Sequence, residues 1–257
     1  MKNLCIIQAR TGSTRLPNKV LKKVNGISLL EYEILRIKQA KRVSKIVIAT
    51  TEIAKDDKIE SMCEAIGIDC FRGSEEDVLD RYYQCSLGYP KYKNIIRITG
   101  DCPLIDPWVI DAVVLLFENN NFDYASNTEK ETYPDGMDVE VFKSSVLKKA
   151  VTSSKLSSER EHVTQYIRKN KKFKKGNLLA EHDWSNFRFT VDETEDLEVI
   201  RFLVKNSKIN DNYLHYISVL KNNPKYMLKN IHIERNQGLL KSLKQDIKKH
   251  GKKIYKK

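Results

Sequence analysis

The stretch KNLCIIQARTGSTRLPNKVL (residues 2–21) changes abruptly from an apolar run to a small, hydroxyl-rich, basic loop. Its first part, NLCIIQ (3–8), is almost continuously apolar, which is typical of a strand buried on both faces of a parallel sheet. A polar loop at the end of such a strand lies where parallel sheets commonly bind their ligands. The stretch therefore predicts both the sheet and one edge of a functional site.

The loop itself places three cations around small residues: Arg10, Arg15 and Lys19 surround Gly12 and Ser13. Glycine lets a backbone approach a ligand closely, and the N–H groups of such a turn can form a concave anion site. The loop matches neither the G-x-x-x-x-G-K-[ST] motif nor the G-x-G-x-x-G motif. From these residues alone, a phosphate site and a solvated surface loop are both open.

Strands and helices alternate over roughly the first half of the chain. The predicted strands cover 3–8, 45–51, 68–71 and 94–99, and the predicted helices cover 28–42, 55–66, 74–87 and 106–119. Ser28 and Glu31 have the spacing of a capping box, and Pro107 follows Asp106 at the start of the last of these helices. This order predicts right-handed βαβ units and an α/β fold with a mainly parallel sheet flanked by helices.

The pattern changes after residue 120. Further strands are predicted at FDYASN (122–127), MDVEVF (137–142), NLLAEH (177–182) and FRFTV (187–191), and further helices at 157–170 and 195–206. No Pro-, Gly- or Ser-rich linker separates the two halves, so a single mixed domain is the simplest prediction.

Positive charge is concentrated at the C-terminal end. Residues 221–257 hold 12 Lys and Arg against two acidic residues, whereas the whole chain has a net charge of +12. This segment has few aromatic residues that could stack on bases and no recognised nucleic-acid-binding motif. We therefore expect a basic C-terminal helical extension over 221–257 and no nucleic-acid partner.

Bulk composition narrows the class further. Hydrophobic residues make up 40% of the chain, mean hydropathy is −0.52, and no apolar run is long enough to cross a bilayer. Residues 1–9 do not have the pattern of a signal peptide, and the five cysteines show no C-x-x-C spacing. We expect a cytoplasmic protein with reduced thiols, without membrane insertion, a disulfide framework or a zinc site.

Two aspartates follow predicted strands. Asp101 comes directly after a strand and Gly100, and Asp192 ends an apolar strand just before a helix that Thr194 could cap. Carboxylates at strand ends are good ligands for Mg²⁺, although turns and helix caps also place aspartates there. One basic and two acidic constellations at strand ends together suit a metal-bound nucleoside triphosphate.

The segments IIQARTGSTRLPNKVL, GDCPLIDP and FTVDETEDLE, in this order, resemble the cytidylyltransferase family that activates sugar acids. The similarity is strongest to the spore-coat polysaccharide biosynthesis protein F branch, and the family also contains acylneuraminate and 3-deoxy-manno-octulosonate cytidylyltransferases. It runs from residue 3 to about 204 and includes GSEEDVLDRYY (73–83), YPDGMDVEVF (133–142) and SEREHVTQYI (158–167). Asn18 stands where this branch often has glycine, and asparagine also tolerates the left-handed conformation.

The resemblance implies a nucleotide-diphosphosugar transferase fold, which is GT-A-like and Rossmannoid. It implies one nucleotidyltransferase domain over 1–220, with an acceptor-binding elaboration over 120–190. The implied reaction is CTP + acceptor → CMP-acceptor + pyrophosphate, with Mg²⁺ as cofactor, in the synthesis of a surface polysaccharide or glycan. CTP and a small acceptor are then the expected partners, together with a second copy of the chain in a homodimer.

The resemblance also assigns roles to single positions. Catalytic roles fall on Arg10, Lys19 and Asp101, and the Mg²⁺ carboxylates are Asp101 and Asp192. The expected nucleotide-binding positions are Ala9, Arg10, Gly12, Ser13, Lys19, Asp80, Arg81 and Gly100. The expected acceptor-binding positions are Asp135, Gly136, Asp138, Arg160 and His162. For His162 a structural role is equally open, and Arg15 has no assigned role.

Three alternatives remain open. A nucleotide-sugar-dependent glycosyltransferase would share the fold, but its usual D-x-D metal motif does not follow any predicted strand. A phosphorylated acceptor would give a CDP product in place of a CMP product. A basic scaffold or nucleic-acid-binding protein would leave the opening loop and the two strand-end aspartates without a role.

Overall fold

A seven-stranded mixed sheet forms the centre of the fold in this computed structural model, which describes residues 2–251. The strands of the described chain are β1 (Asn3–Gln8), β2 (Lys23–Val24), β3 (Ile27–Ser28), β4 (Lys45–Thr51), β5 (Asp69–Gly73), β6 (Asn94–Thr99), β7 (Tyr124–Ser126), β8 (Glu140–Lys143) and β9 (Lys175–Asn177). The sheet has the order β5-β4-β1-β6-β8-β7-β9, and β2 and β3 form a separate hairpin.

Helices cover both faces of this sheet. They are α1 (Leu29–Ile37), α2 (Asp57–Ala65), α3 (Val78–Leu87), α4 (Pro107–Asn119), α5 (Ser144–Ser153), α6 (Ser157–Glu161), α7 (Gln165–Lys169), α8 (Thr194–Lys205), α9 (Tyr213–Lys221), α10 (Pro224–Met227) and α11 (Gln237–His250). Short 3₁₀ turns lie at Lys19–Leu21 and Ala54–Asp56. None of the helices within residues 2–251 combines the length and apolar character needed to span a membrane.

The first half of the chain folds as the alternation predicts. β1 lies between β4 and β6, and all three run parallel, so the predicted α/β fold with a mainly parallel sheet is confirmed. Ser28 Oγ accepts the Glu31 N–H at 3.1 Å at the start of α1, and Asp106 accepts the Trp108 N–H at 2.8 Å at the start of α4. These predicted caps satisfy backbone donors that the first helical turn leaves free.

Two apolar clusters hold the helices on the sheet. Cys5 and Ile7 of β1 belong to the cluster shared with α1, α2, α4, α8 and α9, whereas Leu4 and Ile6 belong to the cluster shared with α3, α5 and α7. Alternate side chains of one strand therefore face opposite cores, which is why this strand has a continuously apolar sequence.

The second half of the sheet reverses direction. β8 runs antiparallel to β6 and β7, and β7 runs parallel to β9. This register puts Glu140 of β8 directly beside Arg97 of β6. The reversal thus brings a charged pair into the sheet next to the carboxyl ends of the parallel strands.

The predicted strand over 187–191 is absent, which corrects the sequence analysis. These residues form an extended segment with a single bridge between Asp135 and Arg188. Its backbone contacts go instead to two loops, since Phe189 N–H donates to Asp135 O at 2.7 Å and Val191 N–H donates to Asp101 O at 2.8 Å. The apolar pattern reported burial correctly, but no neighbouring strand is present to form a ladder.

Two other predicted elements differ from the structure. The predicted strand over 177–182 is wrong beyond its first residue, because the ladder with the three-residue β7 ends at Asn177. The predicted helix over 157–170 is divided into α6 and α7 at Val163, which has a left-handed φ of 56°. Helical periodicity continues on both sides of this break, so the pattern alone could not reveal it.

The C-terminal extension contains the predicted helix as α11, while residues 252–257 lie outside the described residues. One face of α11 is not solvated, since Ser242 and Asp246 are buried against α6. Asp246 accepts the Ser158 N–H at 3.2 Å. The division of the chain at residue 220 stays a prediction.

We predict that Gly136→Ala destabilises the fold strongly. Gly136 has a φ of 97°, and a Cβ there would lie 2.6 Å from the Thr190 nitrogen. Backbone strain and overpacking together should lower the free energy of unfolding by about 3 kcal/mol or more in urea denaturation. Gly26→Ala is the matched control, because its φ is 86° but no atom lies within 4 Å of the added Cβ. That control should lose only about 1 kcal/mol, so equal losses would contradict the prediction.

Candidate active site

Three segments meet at the carboxyl end of the parallel strands around the side chain of Lys19. Its Nζ lies 2.7 Å from Asp101 Oδ2 and 2.8 Å from Asp192 Oδ1. Lys19 is held there by a 3₁₀ turn that follows Asn18, whose φ of 55° is the left-handed geometry that asparagine tolerates. The predicted basic loop and the two predicted acidic strand ends therefore form one cluster.

The charges of this cluster stabilise one another. Burial would raise the pKa of Asp101, but attraction and hydrogen bonding from Lys19 lower that pKa to about 2. Burial would lower the pKa of Lys19, yet the two carboxylates raise it above its usual range. The site consequently holds an ionised carboxylate beside an ammonium at neutral pH.

Asp192 is positioned by the start of α8. The fully buried Asp196 accepts the N–H groups of Asp192 at 2.9 Å and Glu193 at 3.0 Å. Arg188 donates to Asp192 at 2.9 Å and to Asp196 at 2.9 Å. The helix N-cap is Glu193, so the expectation that Thr194 caps it is wrong, and Thr194 is the first helical residue.

Arg15, which had no assigned role, connects the basic loop with the C-terminal end of the chain. Its guanidinium lies 3.0 Å from Asp192 and 3.0 Å from Glu193, and it donates to Gln237 Oε1 at 3.1 Å. It therefore touches the acidic side of the cluster and the first residue of α11 together. No sequence pattern relates positions so far apart.

The remaining residues of the loop are held close to the sheet. Thr11 binds the buried Asp56 through its N–H at 2.7 Å and its hydroxyl at 2.6 Å. Arg10 is exposed and donates to Glu75 at 3.1 Å. Ser13 accepts the N–H of Leu16 at 3.4 Å. A fixed backbone with an exposed cation suits the predicted contact with phosphate.

Gly100, a predicted nucleotide-binding position, packs closely at this edge of the sheet. A Cβ there would lie 3.0 Å from the Cβ of Ala9 and 3.1 Å from Gln8 O, so glycine is favoured for steric reasons. At Gly12 an added Cβ would lie 3.3 Å from Glu75 Oε1, which is the end of a flexible side chain and can move aside.

Asp80 and Arg81, the other predicted nucleotide-binding residues, lie in α3. Asp80 is partly exposed and accepts a hydrogen bond from Gln84 at 3.1 Å. Arg81 is buried, donates to Ser74 O at 3.0 Å, and has its pKa lowered by burial. Their role stays a prediction, since neither contacts the Lys19 cluster in the part of the chain described.

A second charged cluster lies on the predicted acceptor side. Arg188 pairs with Asp135, and Arg235 pairs with Asp138 while donating to Tyr133 O at 3.2 Å. Burial, followed by repulsion from Asp138, raises the pKa of Asp135 to about 7. Burial also raises the pKa of Asp138. The glycine between these acids, Gly136, turns the loop with its left-handed φ.

A buried polar network that no sequence pattern predicted lies between the two clusters. Arg97 pairs with Glu140 and donates to Gln8 Oε1 at 3.1 Å. Glu140 accepts the hydroxyls of Tyr124 and Thr164, each at 2.6 Å. Burial would raise the pKa of Glu140, but Arg97 is the main influence that lowers it. The sequence does contain one sign of this network, because Arg97 lies inside the otherwise apolar strand NIIRIT (94–99).

The two helical residues predicted to bind the acceptor have different positions. His162 lines the cavity that connects the Lys19 cluster with the second charged cluster. Its Nε2 lies 3.0 Å from Ser242 Oγ, and burial lowers the pKa of its imidazole. Arg160 pairs with Asp77 at 2.7 Å and donates to Val151 O at 2.9 Å. The structure does not bring Arg160 into the lining of the cavity.

A cavity of about 260 Å³ connects these clusters. Asp101 and Asp192 lie on one side of it, and Asp135, Asp138 and His162 lie on the other. Most of its lining side chains are charged or carry hydroxyl or amide groups. Its volume is near the lower end of ligand pockets, ~300–1,000 Å³, which suits a small polar molecule.

Within residues 2–251, no group of three or more His, Cys, Asp and Glu side chains is arranged to hold a metal ion. A divalent ion here would depend on Asp101 and Asp192 together with ligands from substrate. These residues fit that requirement, because their oxygens converge on one cationic group, Lys19 Nζ, at 2.7 and 2.8 Å. Mg²⁺ in particular is commonly bound by one or two carboxylates with water and phosphate oxygens.

The model of a known protein family, described as cytidylyltransferase, matches residues 4–235. This chain belongs to the cytidylyltransferase family. The resemblance carried by the opening loop and the two aspartate segments is thereby confirmed. The matched region contains the Lys19 cluster and the second charged cluster up to Arg235.

The chain is also similar to individual known proteins over most of its length. The cytidylyltransferase is 40% identical to the uncharacterized protein MJ1063 of Methanocaldococcus jannaschii, over 90% of this chain and 94% of the other. It is 36% identical to the spore coat polysaccharide biosynthesis protein SpsF of Bacillus subtilis, over 78% and 85% of the two chains.

Solved structures show the same fold. A cytidylyltransferase from Leptospira borgpetersenii has a TM-score of 0.84 at 36% identity, covering 88% of this chain and 97% of that one. A CMP:2-keto-3-deoxy-manno-octonic acid synthetase complexed with CTP has a TM-score of 0.63 at 19% identity, covering 80% and 99%. The predicted nucleotidyltransferase fold is therefore confirmed.

The raised pKa of Asp135 predicts that the free energy of unfolding depends on pH. The pKa of Asp135 is raised to about 7 in the folded chain, from an ordinary 3.8. The folded chain thus keeps a proton that the unfolded chain has released, so this group's contribution falls as pH rises from about 4 to 7. Between about pH 5 and 7.5, the wild-type free energy of unfolding should fall relative to Asp135→Asn by roughly 2 kcal/mol.

Urea denaturation of both proteins at the two pH values measures this difference. Asp183→Asn is the control, because Asp183 is exposed and its pKa is lowered by hydrogen bonds from Ser185. A wild-type-minus-variant difference that stays constant across the pH range would show that Asp135 is already ionised at the lower pH.

Proposed function

We propose that this cytidylyltransferase transfers CMP from CTP to a sugar acid or a related small acceptor and releases pyrophosphate. The product would serve the synthesis of a surface polysaccharide or glycan. The cavity that joins the Lys19 cluster to the second charged cluster is the observation that carries this proposal. Relatives named SpsF and 3-deoxy-manno-octulosonate cytidylyltransferase support the same reaction class.

The basic loop would bind the triphosphate. Arg10 is exposed and Lys19 lies at the centre of the cluster, so both can offset charge that develops on the leaving pyrophosphate. Ser13 and the backbone around Gly12 can donate to phosphate oxygens. Ala9 and Gly100, at the same edge of the sheet, are the other positions of this part of the chain that we expect near the nucleotide.

Asp101 and Asp192 would hold Mg²⁺ in this proposal. The ion would supply charge neutralisation and orientation for the triphosphate when bound. Arg188 holds the Asp192 carboxylate, Asp196 accepts the Asp192 backbone N–H, and Lys19 keeps the Asp101 carboxylate ionised. This chain's contribution would therefore be two pre-positioned carboxylates, whose oxygens would exchange their contacts with Lys19 Nζ for the ion.

The acceptor would occupy the part of the cavity next to the second charged cluster. Asp135, Asp138 and His162 offer partners for hydroxyl groups there, and the polar lining suits a polyhydroxylated molecule. The attacking oxygen would form a bond to the α-phosphorus as the bond to pyrophosphate breaks. Catalysis would come mainly from positioning and electrostatic stabilisation.

No covalent enzyme intermediate is needed for this transfer. Cys102 is adjacent to Asp101 and could be considered a nucleophile. Burial, followed by the charge of Asp101, raises the pKa of its thiol well above the ordinary value. Because the thiolate is the reactive form, Cys102 is expected to be inert.

A cytoplasmic location and a homodimer complete the proposal. All five cysteines are free in the structure, which suits a reducing compartment. The mass of the purified protein in solution tests the dimer.

The reaction is tested by pyrophosphate release with Mg²⁺, a nucleotide panel and an acceptor panel. The acceptors are 3-deoxy-manno-octulosonate, its 8-amino-3,8-dideoxy counterpart, N-acetylneuraminate and a phosphorylated sugar. We expect CTP-dependent release with at least one sugar acid and a CMP-linked product by mass spectrometry. Release only with the phosphorylated sugar would indicate a CDP product, and turnover of a nucleotide sugar without CTP-dependent release would indicate a glycosyltransferase.

Asp101→Asn tests the metal site. Losing one ionised carboxylate should lower kcat by about 100-fold or more, the scale of removing one electrostatic contact from a reacting site. Chelation of Mg²⁺ with EDTA should abolish turnover of the wild type, and added Mg²⁺ should restore it. Asp183→Asn, an exposed substitution of the same type, is the control. Full activity of folded Asp101→Asn, judged by circular dichroism, would exclude Asp101 as a metal ligand.

A further inference from the structure

One wall of the cavity comes from the C-terminal extension. Gln237, Gly238 and Leu239, the first turn of α11, line the cavity together with Asn236. Arg235, directly before them, pairs with Asp138 of the acceptor side. The basic segment that looks like a solvated tail in the sequence is thus part of the site.

This turn is attached on both sides of the cavity. Gln237 accepts a hydrogen bond from Arg15 of the basic loop at 3.1 Å. Asn236 donates to Glu131 at 2.8 Å, on the acceptor side. The first turn of α11 therefore lies between the basic loop and the second charged cluster, and it contacts residues on both sides.

The rest of α11 is anchored on α6. Ser242 donates to Glu161 at 2.6 Å and lies 3.0 Å from His162 Nε2, while Asp246 accepts the Ser158 N–H at 3.2 Å. Ser242 and Asp246 are almost fully buried. These polar contacts hold α11 in the register that places Gln237, Gly238 and Leu239 at the cavity.

The match to the family model does not include this turn. It ends at residue 235 of this chain, and α11 begins at Gln237. The residues that bind nucleotide and metal in the proposal all lie before that limit. One wall of the cavity is consequently built from residues outside the match.

We infer that Gln237, Gly238 and Leu239 determine which acceptor this enzyme accepts. The inference rests on the proposed function and adds a specificity element to it. The family's common region would supply the chemistry with CTP, and the first turn of α11 would set the space available to the acceptor. The sizes of the side chains at positions 238 and 239 would then decide which acceptors fit the cavity.

Gly238→Phe tests the inference by filling the cavity. A Cβ at Gly238 makes only an ordinary contact, 3.9 Å from His162 Cε1, so the backbone can take a side chain. The acceptor KM should rise about 10-fold or more, a common scale for pocket discrimination, while the KM for CTP should stay within about twofold. The assay uses the sugar acid that the wild type turns over fastest.

Leu239→Ala tests the opposite direction. The shorter side chain enlarges the cavity, so the bulkier sugar acid, N-acetylneuraminate, should gain kcat/KM relative to 3-deoxy-manno-octulosonate by about 10-fold. This variant keeps the inference testable if Gly238→Phe fails to fold. Gln245→Phe is the matched control, since Gln245 is exposed on α11 and does not line the cavity.

The outcomes separate the inference from the function. If the wild type turns over a sugar acid but both variants keep its acceptor KM and its acceptor ranking, the inference is wrong and the proposed function stands. If the wild type releases no pyrophosphate with CTP and any sugar acid, the proposed function is wrong and the inference falls with it. A rise in the KM for CTP equal to that for the acceptor would also overturn it, because α11 would then act on the whole site.

Discussion

The ammonium group of Lys19 is shared by two carboxylates that lie 82 and 173 residues away in the sequence. A charge removed from water is costly unless a partner is present, so each of these three groups stabilises the burial of the others. The loop after β1, the turn after β6 and the segment before α8 must therefore meet at one place. Arg188 and Asp196 extend the same network, which ties the start of α8 to the acceptor-side loop through Asp135.

The second charged cluster, on the predicted acceptor side of the cavity, has a different balance of charge. Burial and the nearby charge of Asp138 raise the pKa of Asp135, and Arg188 and Arg235 offset only part of that rise. Such a network is stable only when every member has a partner, and it responds strongly to a change in any of them. The two acids that face the cavity here therefore already have arginines as partners.

Much of the fold followed from local signals in the sequence. Strands β1, β4 and β6 and the caps at Ser28 and Asp106 were predictable, because continuous apolar runs and cap residues report burial and helix starts directly. The meeting of Lys19 with Asp101 also followed, since the parallel strands β1 and β6 end at one edge. Asp192 reaches the same place from a segment that is not a strand, so that argument does not explain its position. The sequence did not reveal that 187–191 forms no strand, because these residues are buried like those of a strand. It did not reveal the helix break at Val163 either, because the helical periodicity continues on both sides of it. The roles of Arg235 and Gln237 depend wholly on tertiary packing, and a run of charge gives no indication of its partner.

The hydrogen bond between Arg15 and Gln237 joins residues 222 positions apart, so nearly the whole chain lies between two contacting parts of one site. A protein is synthesised from its N-terminus, and early segments begin to fold before later ones exist. The nucleotide loop can thus reach its place on the sheet while the wall that closes the cavity is still missing. A chain that ends before α11 would contain Lys19, Asp101 and Asp192 without the wall that the first turn of α11 forms. In such a chain, water could reach the cavity from the side that Gln237, Gly238 and Leu239 line.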